Sequence, residues 1–162
     1  MAFDAYFLTA VLDRLSDRRW PLRFAALGCG LTVLGAFCHP AVLGLGLAHI
    51  GDGVFELLTR SWLCGHGRLT VNRMHKDTIA LVKATAQAKF MDALLPKLSE
   101  EELALYRRGK NSHVHAVPKS CTPAEYAKAT GLEALFGALY LLGRQERINE
   151  LFVTVMEELY GI

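Results

Sequence analysis

The chain has 162 residues, 52% hydrophobic and 21% charged, with a formal net charge of +2. That length supports one domain with a substantial core and leaves little room for a second, and the mild charge is too small to prove a polyanionic partner. Cys29, Cys38, Cys64 and Cys121 form neither a Cys-x-x-Cys pair nor a zinc-finger cluster, which argues against structural zinc and more weakly against a disulfide scaffold; buried reduced thiols in a cytoplasmic protein are expected.

Helical periodicity runs through the chain without an alternating strand pattern, repeat or low-complexity linker, which predicts an all-α fold. Phe3, Tyr6, Phe7, Val11 and Leu15 recur at helical spacing, and a second apolar helix spans Leu22 to Phe37 before His39-Pro40. From Phe24 to Ile50 there is no Lys, Arg, Asp or Glu, which raises the question of membrane association. The apolar run carries Gly28, Gly30 and Gly35 and stops at His39-Pro40, short of the ~20 apolar residues a spanning helix needs. It also follows Asp4, Asp13 and Asp17, unlike an export signal, so a buried or peripheral helix is favoured.

A third helix is predicted from about Ala41 to Leu63, closed by Gly65 and Gly67. Asn72 is the expected cap of the next, whose apolar positions Ile79, Val82, Ala86, Phe90 and Leu94 keep a helical period until Pro96. Ser99 to Glu102 is a capping box opening the following helix. Thr122-Pro123 pairs an N-cap with proline at the first helical position, and Gly143 separates that helix from a last one ending near Tyr160. Gly109 to Cys121 is left as the long non-helical segment, a usual place for binding residues on a helical scaffold.

Two acids stand out. Asp52 lies in Ala48-His49-Ile50-Gly51-Asp52-Gly53-Val54-Phe55-Glu56, and Glu133 in Thr130-Gly131-Leu132-Glu133-Ala134-Leu135. A carboxylate facing a helical core is costly unless paired, protonated or metal-bound, so the two suggest one shared cation site; alternatively each points to water from a helix edge. Glu56, one turn after Asp52, reads as a structural ion-pair partner, with the same cation as its alternative target. Asp77 and Asp92 read as surface charges. Arg107, Arg108, Lys110 and Lys119, with Asn111, form a basic stretch without an acid, suited to phosphates or simply to solvent.

The segment Leu47 to Glu56 resembles the signature helix of the ribonuclease III family, and more closely its short Mini-ribonuclease III branch. Further similar blocks follow in order: Asn72 to Lys76, Gln87-Ala88, Arg107 to Asn111, Val117 to Lys119, and Tyr126 to Leu135. Together they cover roughly residues 41 to 160.

The resemblance implies a ribonuclease III endonuclease-domain-like fold over residues 41–162, with 1–40 as a helical extension of unassigned role. It implies a homodimeric, Mg2+-dependent endoribonuclease that cuts double-stranded RNA, matures precursor 23S ribosomal RNA and works with a ribosomal protein. Asp52 and Glu133 would hold the metal and carry catalysis, with Glu56 as a further metal candidate; Arg107, Arg108, Lys110, Asn111 and Lys119 would contact RNA. His49 and His75 are not needed as acid-base groups, because the implied mechanism activates water by metal; His75 is expected to pack or hydrogen-bond near the site. Val54, Phe55, Leu58 and Trp62 fit either a dimer seam or the core.

The sequence also departs from the family. Where relatives resemble one another in a cluster of four acids, Ala48 and Thr130 occupy two of the positions; Thr85, Ala127, Lys128 and His113-Val114-His115 differ as well. These departures motivate an alternative, a catalytically silent RNA-binding or ribosome-assembly protein of the same fold.

Overall fold

A computed structural model describes residues 40–66, 70–112 and 117–161. The N-terminal helices expected before His39, Cys29, Cys38, Gly67 and the segment His113-Val114-His115 lie outside the described residues. Within them the fold is all helical: α1 (Pro40–Gly65), α2 (Val71–Val82), α3 (Ala84–Leu94), a 3-10 turn (Leu95–Lys97), α4 (Glu100–Lys110), α5 (Pro123–Leu141) and α6 (Gln145–Tyr160). No strand occurs among the described residues.

The centre is α5, buried almost all round from Ala129 to Leu139, the pattern of a helix enclosed by others. Helices α1, α3, α4 and α6 pack on it. The crossing of α1 over α5 is exceptionally close: a Cβ at Gly51 would overlap the backbone carbonyl of Glu133, and one at Gly137 would overlap that of Leu47. Glycine is tolerated inside these helices because tertiary burial outweighs its ~1 kcal/mol propensity cost. The Tyr106 ring of α4 lies against Gly131 of α5 in the same way.

Around the crossing, Phe55 meets Phe90, Phe136 and Phe152 edge to face, with centroids 5.2, 5.9 and 5.6 Å apart. Such pairs add ~0.5–1.5 kcal/mol each beyond their burial. Phe55 and Trp62 are therefore core residues of their own chain, leaving half-buried Val54 and Leu58 at the edge and Leu57 exposed.

Local chemistry sets most boundaries. At α4, the Ser99 N–H donates to Glu102 Oε2 at 2.8 Å and the Glu102 N–H donates to Ser99 Oγ at 3.3 Å. Thr122 and Glu125 form the same reciprocal cap at α5, with Pro123 following. Gly143, at φ 70°, ends α5; the Arg144 N–H donates to Leu139 O at 2.9 Å and the Gly143 N–H to Tyr140 O at 3.0 Å, the pattern that left-handed glycine allows. Arg147 ties α6 to the start of α4 through Glu102 (2.8 and 3.0 Å) and the Lys97 carbonyl (2.9 Å).

Several expectations are corrected. The helix predicted from Asn72 to Pro96 is broken at Lys83, whose extended backbone (φ −68°, ψ 148°) starts a new direction. Thr70 occupies the N-cap position of α2 without a side-chain cap, and Asn72 lies inside the helix. Ile79 is exposed, since α2 is peripheral and buries only Thr78. Gly109 and Lys110 are helical, so the non-helical stretch starts at Asn111. Cys64 is exposed at the end of α1 and Cys121 partly so, because neither lies on a core-facing stripe. His75 is exposed on peripheral α2 and packs against no core. No helix among the described residues is long and apolar enough to cross a membrane.

Candidate active site

Residues one and two turns apart share a helix face. On α1 this aligns Leu45, Ala48, His49 and Asp52; on α5 it aligns Tyr126, Thr130 and Glu133. The two faces meet across the close crossing and together line an open pocket of about 290 Å³. Asp52 and Glu133 are thus brought together in one concavity. Tyr126, His49 and Leu45 were not singled out as wall residues by the sequence, although their spacing to the two acids carried that information.

The electrostatics follow from placement. Glu133 projects from a central helix that is otherwise enclosed, and burial first, then the neighbouring Asp52 charge, pushes its carboxyl up to about 7, while the Gln87 amide opposes the rise. Asp52 is more open; burial and then Glu56 raise it, and His49 acts the other way. Glu56 accepts from Arg60 Nε of its own helix at 2.8 Å and is not a pocket-wall residue. Its influence on Asp52 is through charge.

Two carboxylates in one polar pocket, one of them raised by the other's charge, suit a cation. Mg2+ keeps several waters and needs only one or two protein carboxylates, so Asp52 and Glu133 fit such an ion. Among the described residues no group of three or more His, Cys, Asp or Glu is placed to hold a metal. Ala48 and Thr130 line the same pocket and bring no charge.

Arg107, Arg108, Lys110 and Asn111 are exposed at the end of α4, and Lys119 is exposed beyond it. Gly109 packs on Thr130 and Ala134, and Ser112 abuts Gly44, so this basic end borders the helices that form the pocket. The Lys110 ammonium lies 5.9 Å from the Tyr106 ring centroid. Lys128 pairs with Asp92 at 2.6 Å, bridging α5 and α3; Asp92 is exposed as expected but is not a free charge. Asp77 pairs with Arg73 of its own helix at 3.0 Å.

The Ribonuclease III domain family matches residues 45–144, ending where α6 begins. The chain is 46% identical over 106 residues to Mini-ribonuclease 3 of Symbiobacterium thermophilum, covering 65% of this chain and 82% of that one. It is 44% identical over 115 residues to Mini-ribonuclease 3 of Thermoanaerobacter sp., covering 69% and 81%. A crystal structure of a Fusobacterium nucleatum protein matches the fold with a TM-score of 0.65 at 35% identity, covering 71% of this chain and 92% of that one. The domain match and these similarities converge: the chain belongs to the Mini-ribonuclease 3 branch of the ribonuclease III family and is an endoribonuclease of that type.

Proposed function

We propose that this endoribonuclease is Mg2+-dependent, cleaves double-stranded RNA and matures precursor 23S ribosomal RNA in the cytoplasm, working as a homodimer with a ribosomal protein as helper. The observation that carries the reading is the meeting of Asp52 and Glu133 in one open pocket, with the basic end of α4 packed on the same two helices. The two carboxylates would hold the ion, and Glu56 is left to Arg60. When bound, the cation supplies Lewis-acid activation of water and neutralises charge gathering on the phosphate. Arg107, Arg108, Lys110, Asn111 and Lys119 hold the RNA backbone, selecting an A-form duplex by shape with little reading of bases. The dimer seam runs over Leu57 with the outer edges of Val54 and Leu58, because Phe55 and Trp62 are committed to the core.

The second reading, a catalytically silent RNA-binding protein, draws on Ala48 and Thr130, two pocket-wall positions without a carboxylate. Incubating purified protein with a long RNA duplex, in Mg2+ or in EDTA, separates the two. Cleavage in Mg2+ alone supports the proposal, and binding without cleavage supports the silent reading. Replacing Arg107, Arg108, Lys110 and Lys119 with alanine is expected to weaken duplex binding equally for all sequences and to flatten its salt dependence, since fewer counterions are released. Unchanged binding over a range of salt moves the RNA path elsewhere.

A further inference from the structure

Gln87 is 1% exposed on α3, and its Nε2 is enclosed without a hydrogen-bond partner. An unmet buried donor costs ~1–3 kcal/mol, whereas an apolar side chain of similar volume would fill the space without that cost. Three other buried polar side chains are accounted for locally. The hydroxyls of Thr59 and Thr78 donate to Phe55 O and Met74 O, each at 2.8 Å, and Glu102 is held by Arg147. Trp62 Nε1 also lacks a partner, but its ring stacks on exposed His66 at the far end of α1. Thr130 belongs to the pocket wall itself. Gln87 reaches Glu133 from behind: α3 packs on α5, and its amide favours the ionised Glu133 carboxylate while Nε2 stays short of a formed hydrogen bond.

We propose that Gln87 is a positioning residue for Glu133: once the carboxylate is ionised, the unpartnered buried amide becomes the donor to one of its oxygens and leaves the other turned toward Asp52 and the pocket. This rests on the reading of Asp52 and Glu133 as the cation-binding pair. A carboxylate has two oxygens with several lone pairs, so one donor inside the core and one cation outside it are compatible. Partners of this kind set the orientation of a metal ligand, and losing one costs about 10–100-fold in metal affinity or activity. The geometry also accounts for a polar residue among the buried apolar positions Ala86, Ala88 and Phe90 of α3.

The test is a Mn2+ titration followed by electron paramagnetic resonance on the full chain, with melting temperature and steady-state duplex cleavage measured on the same samples. The proteins are wild type, Glu133→Gln, Gln87→Met and Gln87→Leu. Both Gln87 variants are expected to melt at or above the wild-type temperature, to bind Mn2+ about 10–100-fold more weakly, and to lose kcat while KM for RNA is unchanged. Wild-type Mn2+ affinity and kcat in a folded Gln87 variant overturn the proposal and assign the amide to packing, as does failure of both variants to fold. If Glu133→Gln binds Mn2+ as tightly as wild type, the reading of Glu133 as a ligand has failed, and the positioning role falls with it for that separate reason.

Discussion

The backbone carbonyl of Glu133 rests against Gly51, the residue preceding Asp52, so the two acid-bearing helices touch backbone to backbone beside their carboxylates. The spacing of the site and the packing of the core are therefore one feature. Gly51→Ala is expected to destabilise the protein by about 3 kcal/mol, because the added methyl meets peptide backbone and no flexible side chain can yield. Gly53→Ala is the control: its Cβ meets nothing, and it should stabilise by ~0.5–1 kcal/mol through helix propensity. Urea melts of the two variants check both signs.

Glu133 makes stability depend on pH. Burial and Asp52 raise its folded carboxyl from 4.5 to about 7, so the fold takes up a proton there. That contribution is fully present below about pH 4.5 and is lost as pH rises through about 7. Glu133→Gln should therefore melt higher than wild type at pH 8 in EDTA, by on the order of 1–3 kcal/mol, with the gap closing toward pH 5. Calorimetry at the two pH values reads this directly; a variant less stable than wild type at pH 8 contradicts the placement of Glu133.

Glu102 works in the opposite sense. The Arg147 guanidinium, aided by the Ser99 cap, holds its carboxyl below the usual carboxylate range. Its contribution is complete above about pH 4.5 and is lost as pH falls through the lower folded value. Glu102→Gln should cost about 1–3 kcal/mol at neutral pH, and less in acid, where wild type loses the same interaction. Thermal melts from neutral pH into acid provide the comparison.

What could be read in the sequence was what depends on neighbours along the chain. The caps at Ser99 and Thr122 and the stop at Gly143 use residues close together along the chain, and all three appear in the fold. Asp52 and Glu133 were legible as unusual acids in apolar helices, and their shared pocket follows from one long-range crossing. The break at Lys83 left no trace, since a lysine between two helical segments carries no turn chemistry and only packing on α5 decides the direction of α3. Gln87 was visible as part of the Gln87-Ala88 block, but its place beside Glu133 was not. A single glutamine on an apolar stripe looks the same whether it reaches solvent or an acid on another helix. For Phe55 and Trp62 the apolar pattern was right, but periodicity does not say whether the surface covering them belongs to the same chain.

That distinction shapes the expected assembly. Leu57 is 48% exposed, and Leu57→Glu should yield folded monomers, because it places a charge in the proposed seam without touching the core. Phe55→Glu should instead unfold the chain, as it buries an unpaired charge among Phe90, Phe136 and Phe152. Sedimentation with circular dichroism distinguishes the two outcomes. A wild-type chain that is monomeric at micromolar concentration contradicts the dimer.

The most direct test of the central claim is single-turnover cleavage of a long RNA duplex in Mg2+ by wild type, Asp52→Asn and Glu133→Gln, with helix content measured on each. Both substitutions keep shape and remove one anionic oxygen ligand, so each is expected to slow cleavage by at least about 100-fold while helix content stays at the wild-type level. Full activity in either folded variant would contradict the account of Asp52 and Glu133 as the pair that holds the ion.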